Sequence, residues 1–552
     1  MSTKPASPTE APAPHLAVDI RQLPGTRPLA ADYAYQFDRL APFFAGNPAV
    51  PQSCAAVVER TLKHPRARAA LAALLAAQQQ RRGAPAAAVE RARQFADPRS
   101  VAIVTGQQAG LFGGPLYTLL KALTAIQLAE QIARQQGVPA IPVFWVESED
   151  HDWDEVRSCT VLDAELEPHT LALPTLAKND PVPVATVPLP AEVGPVVETL
   201  AATLPATEFT PALLDDLRQA YVPGRGMAEA FATWLEHVLG RLGLVVYDAS
   251  DPAAKPLVAD LFRREIETPG ETARLAAAAG ADLVAHGYHA QVQAHEDSPA
   301  LFYLDGTRRP IRGQQGTLVV GETPYEPAAL AALAAQAPAH FSPNVLLRPL
   351  VEDTIFPTAC YVAGPNELAY LGQLRGVYER YGIPMPLMHP RATATLLDSA
   401  AVRFMTRYQV GLESLQAQDE SALNRLLEAQ LPPHVEASID EATRTVTAQM
   451  ERVIEVLPVV DPTLAGAARS TLGRMQHDLK TLHNKLIQAA KRRDETLRRQ
   501  FMHARRQAFP GGHAQERTVG FVYFLNQYGP ALVDRLRETL PLDMGRHWIL
   551  TV

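Results

Sequence analysis

Cysteine is nearly absent. The 552 residues hold three, Cys54, Cys159 and Cys360, far apart in the chain, with no CxxC pair and no Cys/His cluster at zinc spacing. A disulfide framework is thereby excluded, and no zinc is expected. Also missing is any uncharged apolar run near the ~18 residues that a membrane-spanning helix needs. The opening segment MSTKPASPTEAPAPH lacks the apolar stretch of a secretory signal and reads as a short disordered lead-in. A chain with neither cross-links nor an export signal is expected in the cytoplasm. Charge of one sign is scarce too. A formal net charge of -8 over this length is mild and argues against bulk nucleic-acid binding.

The composition is ordinary for a globular protein, with 47% hydrophobic and 20% charged residues. The length exceeds what one hydrophobic core supports, so more than one packed unit is expected. Val101–Val104 is a short apolar run suited to a buried parallel strand. A glycine-rich loop follows, Thr105 to Pro115, with Gly106, Gly110, Gly113 and Gly114. Pro115 opens a helical pattern that stops at Gly137, and Ala140–Val146 is the next strand, which completes a βαβ unit. The same grammar returns as a strand at Thr358–Val362, a helix from Gly364-Pro365 to Gly382, and a strand at Ile383–Met388. Two such units suggest the halves of one doubly wound α/β sheet whose strand carboxyl ends share a crevice.

Between them, Ala164–Pro205 reads as a Pro- and Val-rich insertion with strand-like patches. Gly243–Tyr247 reads as a strand, Asp251-Pro252 as a helix start, and Phe302–Ile311 as a hairpin turned at Asp305-Gly306. From about Val402 the pattern becomes helical. Ile439, Thr443, Val446, Met450, Val453 and Leu457 form one seam, and Leu472, Met475, Leu479, Leu482, Leu486 and Ala489 another, with Pro458 and Pro462 between them. Two such seams predict an antiparallel helical hairpin with the longer arm second. The expected organisation is a parallel-sheet core over 1–400 with insertions near 160–240 and 265–340, a coiled-coil hairpin over 401–510, and a segment over 511–552 that packs back on the core.

Three places could carry chemistry. The glycine loop leads into a helix N-terminus, where free amides favour an anion; a glycine-rich packing turn is the alternative. The run Glu147-Ser-Glu-Asp-His-Asp-Trp-Asp-Glu155 puts six acids and His151 directly after a buried strand. At that sheet edge Glu149, Asp150 and Asp152 could hold Mg²⁺, bind an ammonium or act as a base, with His151 as the titrating partner; a solvated face is the alternative. Glu367, Tyr370 and Gln373 share one helix face at the same edge of the second unit, flanked by Arg348 and Arg391, which suit carboxylate or phosphate. The arm Gly466–Arg506, with eleven Lys/Arg against three Asp/Glu, could touch nucleic acid, though salt bridging or solvation is the plainer reading.

TGQQAGLFGGPLYTLLKAL (Thr105–Leu123), PVFWVESEDHDWDEV (Pro142–Val156) and NVLLRPLVEDTIFPTACYVAGPNELAYLGQL (Asn344–Leu374) resemble the bacillithiol-biosynthesis cysteine-adding enzymes, the BshC family. So do GYHAQVQ (Gly287–Gln293), PMPLMHPRATATLLD (Pro384–Asp398) and FPGGHAQER (Phe509–Arg517), in family order over nearly the whole chain. Glu352 stands where the family pattern has Gln, and Asn366 where its GPGE has Gly. The resemblance implies a Rossmann-like core, similar to class I synthetases, with a coiled coil through which subunits dimerise. It also implies a ligase that joins L-cysteine to glucosaminyl malate. Activation by a nucleotide, ATP or ADP, with Mg²⁺ fits such an amide-forming step, yet no KMSKS-like loop or HxGH signature is present. An adenylate, an acyl phosphate and another donor therefore all stay open. The site expected on this footing has a floor of Gln107, Gln108, Gly113 and Gly114 with Tyr117 and Trp145. His151, Asp152, Glu149 and Asp150 stand on one side, and Arg348, Glu367, Tyr370, Gln373 and Arg391 on the other. A nucleotidyl transferase acting on nucleic acid and a non-catalytic coiled-coil scaffold are the competing readings.

Overall fold

The structure is a computed structural model and describes residues 16–176, 181–292, 297–430, 433–493 and 495–552. The expected lead-in at residues 1–15 and the last residue of the GYHAQVQ motif, Gln293, lie outside the described residues. The chain divides into two compact units. One comprises residues 1–395 with 515–550, and the other residues 396–514.

The first unit is built on a parallel sheet of β1 (Val101–Gln108), β2 (Ala140–Glu147), β3 (Val245–Asp248), β4 (Thr358–Ala363) and β5 (Leu387–Pro390), in the order β5-β4-β1-β2-β3. All four pairings are parallel, with Val104 opposite Val143 and Tyr361. Because β1 and β2 are covered on both faces, they read as continuous apolar runs rather than alternations. Strand β1 runs four residues further than the apolar stretch, to Gln108. Its polar end is tolerated because each side chain finds a partner: Thr105 donates to the Val362 carbonyl at 3.0 Å and Gln107 to the Tyr117 hydroxyl at 3.2 Å.

Helix α1 (Leu116–Gln136) covers the sheet from Pro115 to Gly137, which caps it in the left-handed region at φ 65°. In the second crossover the single expected helix is two short ones, α2 (Glu367–Leu371) and α3 (Arg375–Tyr381), each ending at a glycine. The strand after them starts only at Leu387, since Pro384 and Pro386 offer no amide to a ladder. The insertion after the first crossover is less strand-rich than expected. It holds one antiparallel pair, Ser158–Leu162 with Pro168–Ala172, and then helices such as Val193–Thr203. The hairpin turned at Asp305-Gly306 is present, with Leu301–Leu304 against Arg308–Gln314 inside a five-stranded antiparallel sheet.

The second unit contains the helical hairpin, Pro433–Val456 against the longer Leu464–Arg493. Its arms run antiparallel: Glu436 meets His483 at 3.2 Å, and Thr447 meets Gln476 at 3.2 Å. The seam of the second arm differs from the strict three-four reading. Ile487 (3% exposed) and Ala468 (9%) turn inward, whereas Met475 (42%) and Leu482 (47%) stand in solvent. A straight helix drifts against a seven-residue repeat, so the buried stripe leaves the apolar list and passes through His483. Among the described residues no helix is long and apolar enough to cross a membrane.

Candidate active site

The strand order sends successive crossovers away from β1 in opposite directions, towards β2 and β3 on one side and β4 and β5 on the other. Their loops diverge at the carboxyl ends of β1 and β4 and leave a crevice there.

Lys121, in the second turn of α1 and only 2% exposed, ties the floor together. Its ammonium donates to the Gly106 carbonyl at 2.8 Å, to Gln107 Oε1 at 3.2 Å and to Glu367 Oε1 at 2.8 Å. Burial pulls its pKa down, and Glu367 opposes that pull. The other oxygen of Glu367 accepts from the Gly364 amide at 2.5 Å, which fixes the start of α2. Sequence reasoning missed Lys121, although a lysine inside LLKAL was the available signal: a charge amid apolar helix residues needs a buried partner. At the end of β2, Glu147 Oε2 accepts from the Trp145 indole at 3.0 Å and meets Arg348 Nη1 at 3.0 Å. Burial alone would weaken the Arg348 charge, but the facing Glu147 more than reverses this and raises its pKa.

The acidic run does not act as one cluster. Glu149 turns into the core and pairs with Lys255, which also donates to the Phe341 carbonyl at 3.0 Å. Burial raises its pKa against the pull of Lys255. Glu149 is therefore removed from the expected catalytic set, because in the turn after the strand it is buried against Lys255 while Asp150 lines the cleft. Asp150 accepts from Gln108 Nε2 at 2.8 Å and lies 3.6 Å from Arg308 Nη1. Burial pushes its pKa up, but hydrogen bonds from Gln108 and the His151 amide, with Arg308, outweigh this and hold it below the usual range. His151 Nδ1 is 3.3 Å from Arg308 Nη1. Asp152 accepts from the Glu155 amide at 3.1 Å and so caps the one-turn helix Trp153–Val156. Among the described residues no three His, Cys, Asp or Glu side chains converge on a point that a metal could occupy.

Three other expected residues also lie off the cleft. Gln373 is wholly buried and binds the amides of Gln291 and Val292 at 3.1 and 3.2 Å and the Ala276 carbonyl at 3.1 Å. The break after α2 turns it away from the face that carries Glu367 and Tyr370. Arg391 forms a buried bidentate pair with Glu516, at 2.9 and 2.6 Å, and stacks over the Tyr117 ring. Gly113 has φ 95°, and a Cβ there would collide with Phe521. Its amide donates to Gly110 and to the Tyr221 hydroxyl, so this glycine serves close packing rather than anion binding.

The remaining residues line three adjoining lobes. The smallest, about 250 Å³, is walled by Trp145, Glu147, Arg348, Glu352, Tyr361, Glu367 and Tyr370. A lobe of about 390 Å³ is lined by Gly114, Tyr117, Thr118, Ser158, Cys159, Thr160 and Arg517. The largest, about 570 Å³, holds Asp150, His151, Asp152, Trp153 and Leu176. Gln108 and Glu155 line all three, and Gln107 lines the first two. Glu155 sits where the lobes meet, on a helical turn anchored by buried Trp153 and Val156. Burial pushes its pKa up, as do Asp152 and Asp150, against a hydrogen bond from Gln108.

Two family descriptions match the chain: "Bacillithiol biosynthesis BshC, N-terminal Rossmann-like domain" over residues 16–392, and the "C-terminal coiled-coil domain" of the same family over residues 394–552. Among curated relatives, the "Putative cysteine ligase BshC" of Salinibacter ruber is 34% identical over 528 residues, covering 95% of this chain and 96% of its own. The proteins of that name from Symbiobacterium thermophilum and Koribacter versatilis are each 33% identical. They cover 87% and 94% of this chain, and 88% and 96% of their own lengths.

Proposed function

The chain belongs to the BshC family of bacillithiol biosynthesis, and from that premise we propose that it joins L-cysteine to glucosaminyl malate through an amide bond, completing bacillithiol. The observation that carries this reading is the meeting of three lobes at Gln108 and Glu155. A condensation needs separate seats for an acyl donor, an amine and an activating group, with their reactive atoms at one junction.

In the reaction the sugar amine attacks the activated cysteine carbonyl. The C–N bond forms, the leaving group departs with the electrons of its bond to carbon, and the nitrogen sheds one proton. Glu155, at the junction and raised by burial, is placed to take that proton. Gln107 and Gln108 present amide groups to the carbonyl. Arg517, Ser158 and Thr160, with Gly114 and Tyr117 beside them, suit anionic groups, whether malate carboxylates or the phosphates of a donor. ATP or ADP would supply the activating group, and adenylate and acyl phosphate both fit. Asp150, His151 and Asp152 offer polar contacts to the sugar.

We also propose that two copies associate through the hairpin, supported by its exposed Met475, Leu482 and Val456, and that the enzyme works in the cytoplasm, where its three free thiols stay reduced. The nucleic-acid and scaffold readings are less favoured, since relatives matched over 88–96% of their own length carry ligase names.

Thiol profiling of a deletion strain tests the assignment. The expected result is loss of bacillithiol with accumulation of glucosaminyl malate. An unchanged bacillithiol pool overturns it.

A further inference from the structure

The smallest lobe contains a carboxyl group that makes no hydrogen bond or ion pair among the described residues. Of its four glutamates, Glu147 is paired with Arg348 at 3.0 Å, Glu367 with Lys121 at 2.8 Å, and Glu155 takes a hydrogen bond from Gln108. Glu352 lines the same cavity, is 4% exposed, and its side chain has no hydrogen bond or ion pair among the described residues. It lies four residues after Arg348 on the helix Arg348–Ile355 and so shares that residue's face. A buried carboxyl without a partner is costly, and folds keep such groups where something else completes them. The completing group must fit about 250 Å³, donate hydrogen bonds and carry positive charge. Tyr361 and Tyr370 line the wall beside Glu352.

We propose that Glu352 anchors an ammonium group, so that this lobe seats a small α-amino acid as its zwitterion, with –NH₃⁺ on Glu352 and the carboxylate towards Gln107 and Gln108. The inference rests on the ligase reading for the identity of the amino acid, cysteine, but not for the presence of an ammonium. It also accounts for selectivity. An amine held protonated on Glu352 has no free electron pair, so the bound cysteine cannot serve as the attacking amine towards a second activated cysteine in place of the sugar amine.

The charged groups facing Glu352 are its neighbour Asp353 with Arg348, Glu147 and Glu367. Burial, then Asp353, push its pKa well up. An arriving ammonium draws its proton off, so binding should release protons, visible as a calorimetric heat that changes with the buffer's ionisation enthalpy.

The experiment is calorimetric titration of the full chain, under reducing conditions, with L-cysteine, with 3-mercaptopropionate, which lacks the amine, and with a panel of other α-amino acids. Glu352→Gln and Glu352→Leu are run beside the wild type, each checked by circular dichroism; the isosteric Gln variant guards against misfolding in the Leu variant. The expected result is a loss of cysteine affinity of about tenfold in Gln and up to about 100-fold in Leu, as for a charge-assisted hydrogen bond. Affinity for glucosaminyl malate should be unchanged, and 3-mercaptopropionate should bind weakly to all three proteins. If the wild type prefers another amino acid and Glu352→Leu loses it, the anchor stands and the cysteine assignment falls. If Glu352→Leu binds the preferred amino acid as the wild type does, or if 3-mercaptopropionate binds as tightly as cysteine, the anchor is wrong. Binding of no amine by the wild type overturns both.

Discussion

At the carboxyl edge of the parallel sheet, charged side chains are buried; along the helical hairpin, large apolar ones stand in solvent. Lys121, Glu147, Glu149, Lys255 and Glu352 are each less than 8% exposed, while Val456 is 61% exposed and Leu482 47%. Both regions invert the usual partition. In the first, burial strengthens each charge interaction and holds the side chains in one geometry, which suits orientation and proton transfer. In the second, apolar area left in water is available to another surface. The difference teaches that departures from ordinary burial are informative only with their partners: most buried charges at the sheet edge are satisfied, and the one that is not marks a ligand.

The largest expected effect breaks a satisfied pair. Glu149→Ala should strand Lys255 in the core and lower unfolding free energy by about 3–5 kcal/mol in denaturant titrations. The pair Glu149→Leu with Lys255→Met should recover much of that, and activity below the melting transition should survive. A single variant as stable as the wild type would show that this charge is not buried as described.

Glu155→Gln sharpens the other half of the contrast. Turnover should fall roughly 10²- to 10⁴-fold with Tm unchanged, because a surface turn contributes little packing and a general base contributes in that range. The base must be ionised, so the wild-type rate should fall as pH drops through the pKa of Glu155. Since burial raises that pKa, the acid limb should lie above that of an ordinary glutamate, and the variant should lose it. Persistence of the same limb in Glu155→Gln would transfer the role to another group.

The remaining contrast lies along the hairpin, where Leu482→Asp has the smallest effect on the folded chain. Ile487→Asp buries a charge in the seam and should loosen the hairpin by several kcal/mol, with loss of helical circular dichroism. Leu482→Asp, on the exposed side, should leave that signal intact and change only the mass seen by light scattering. If both variants keep the wild-type mass, the hairpin does not join two copies.

How much was legible beforehand differs between these regions for a physical reason. Strand β1, the helix from Pro115 to Gly137 and the antiparallel arms follow from local periodicity and capping, which neighbouring residues enforce among themselves. The seam of the second arm was only half legible: Leu479 and Leu486 are partly buried as expected, but Leu482 is not, because the spacing alone does not fix the drift of the stripe. At the sheet edge, the motifs located the crevice without sorting its members. Asp150 and Glu149 are adjacent, chemically alike and equally acidic in the sequence, yet one lines the cleft and the other is spent on Lys255.

What the sequence determined by itself was the first crossover, the helical arms and the family, since these are properties of runs of residues read in order. Tertiary structure alone decided that Lys121 meets Glu367 across 246 positions, that Gln373 serves residues 276 and 291–292, and that Glu352 is left without a partner. The physical reason is that a charge acts through its distance to other charges and its separation from water. Both are set by which strands the crossovers bring side by side, and neither is written at the residue that carries the charge.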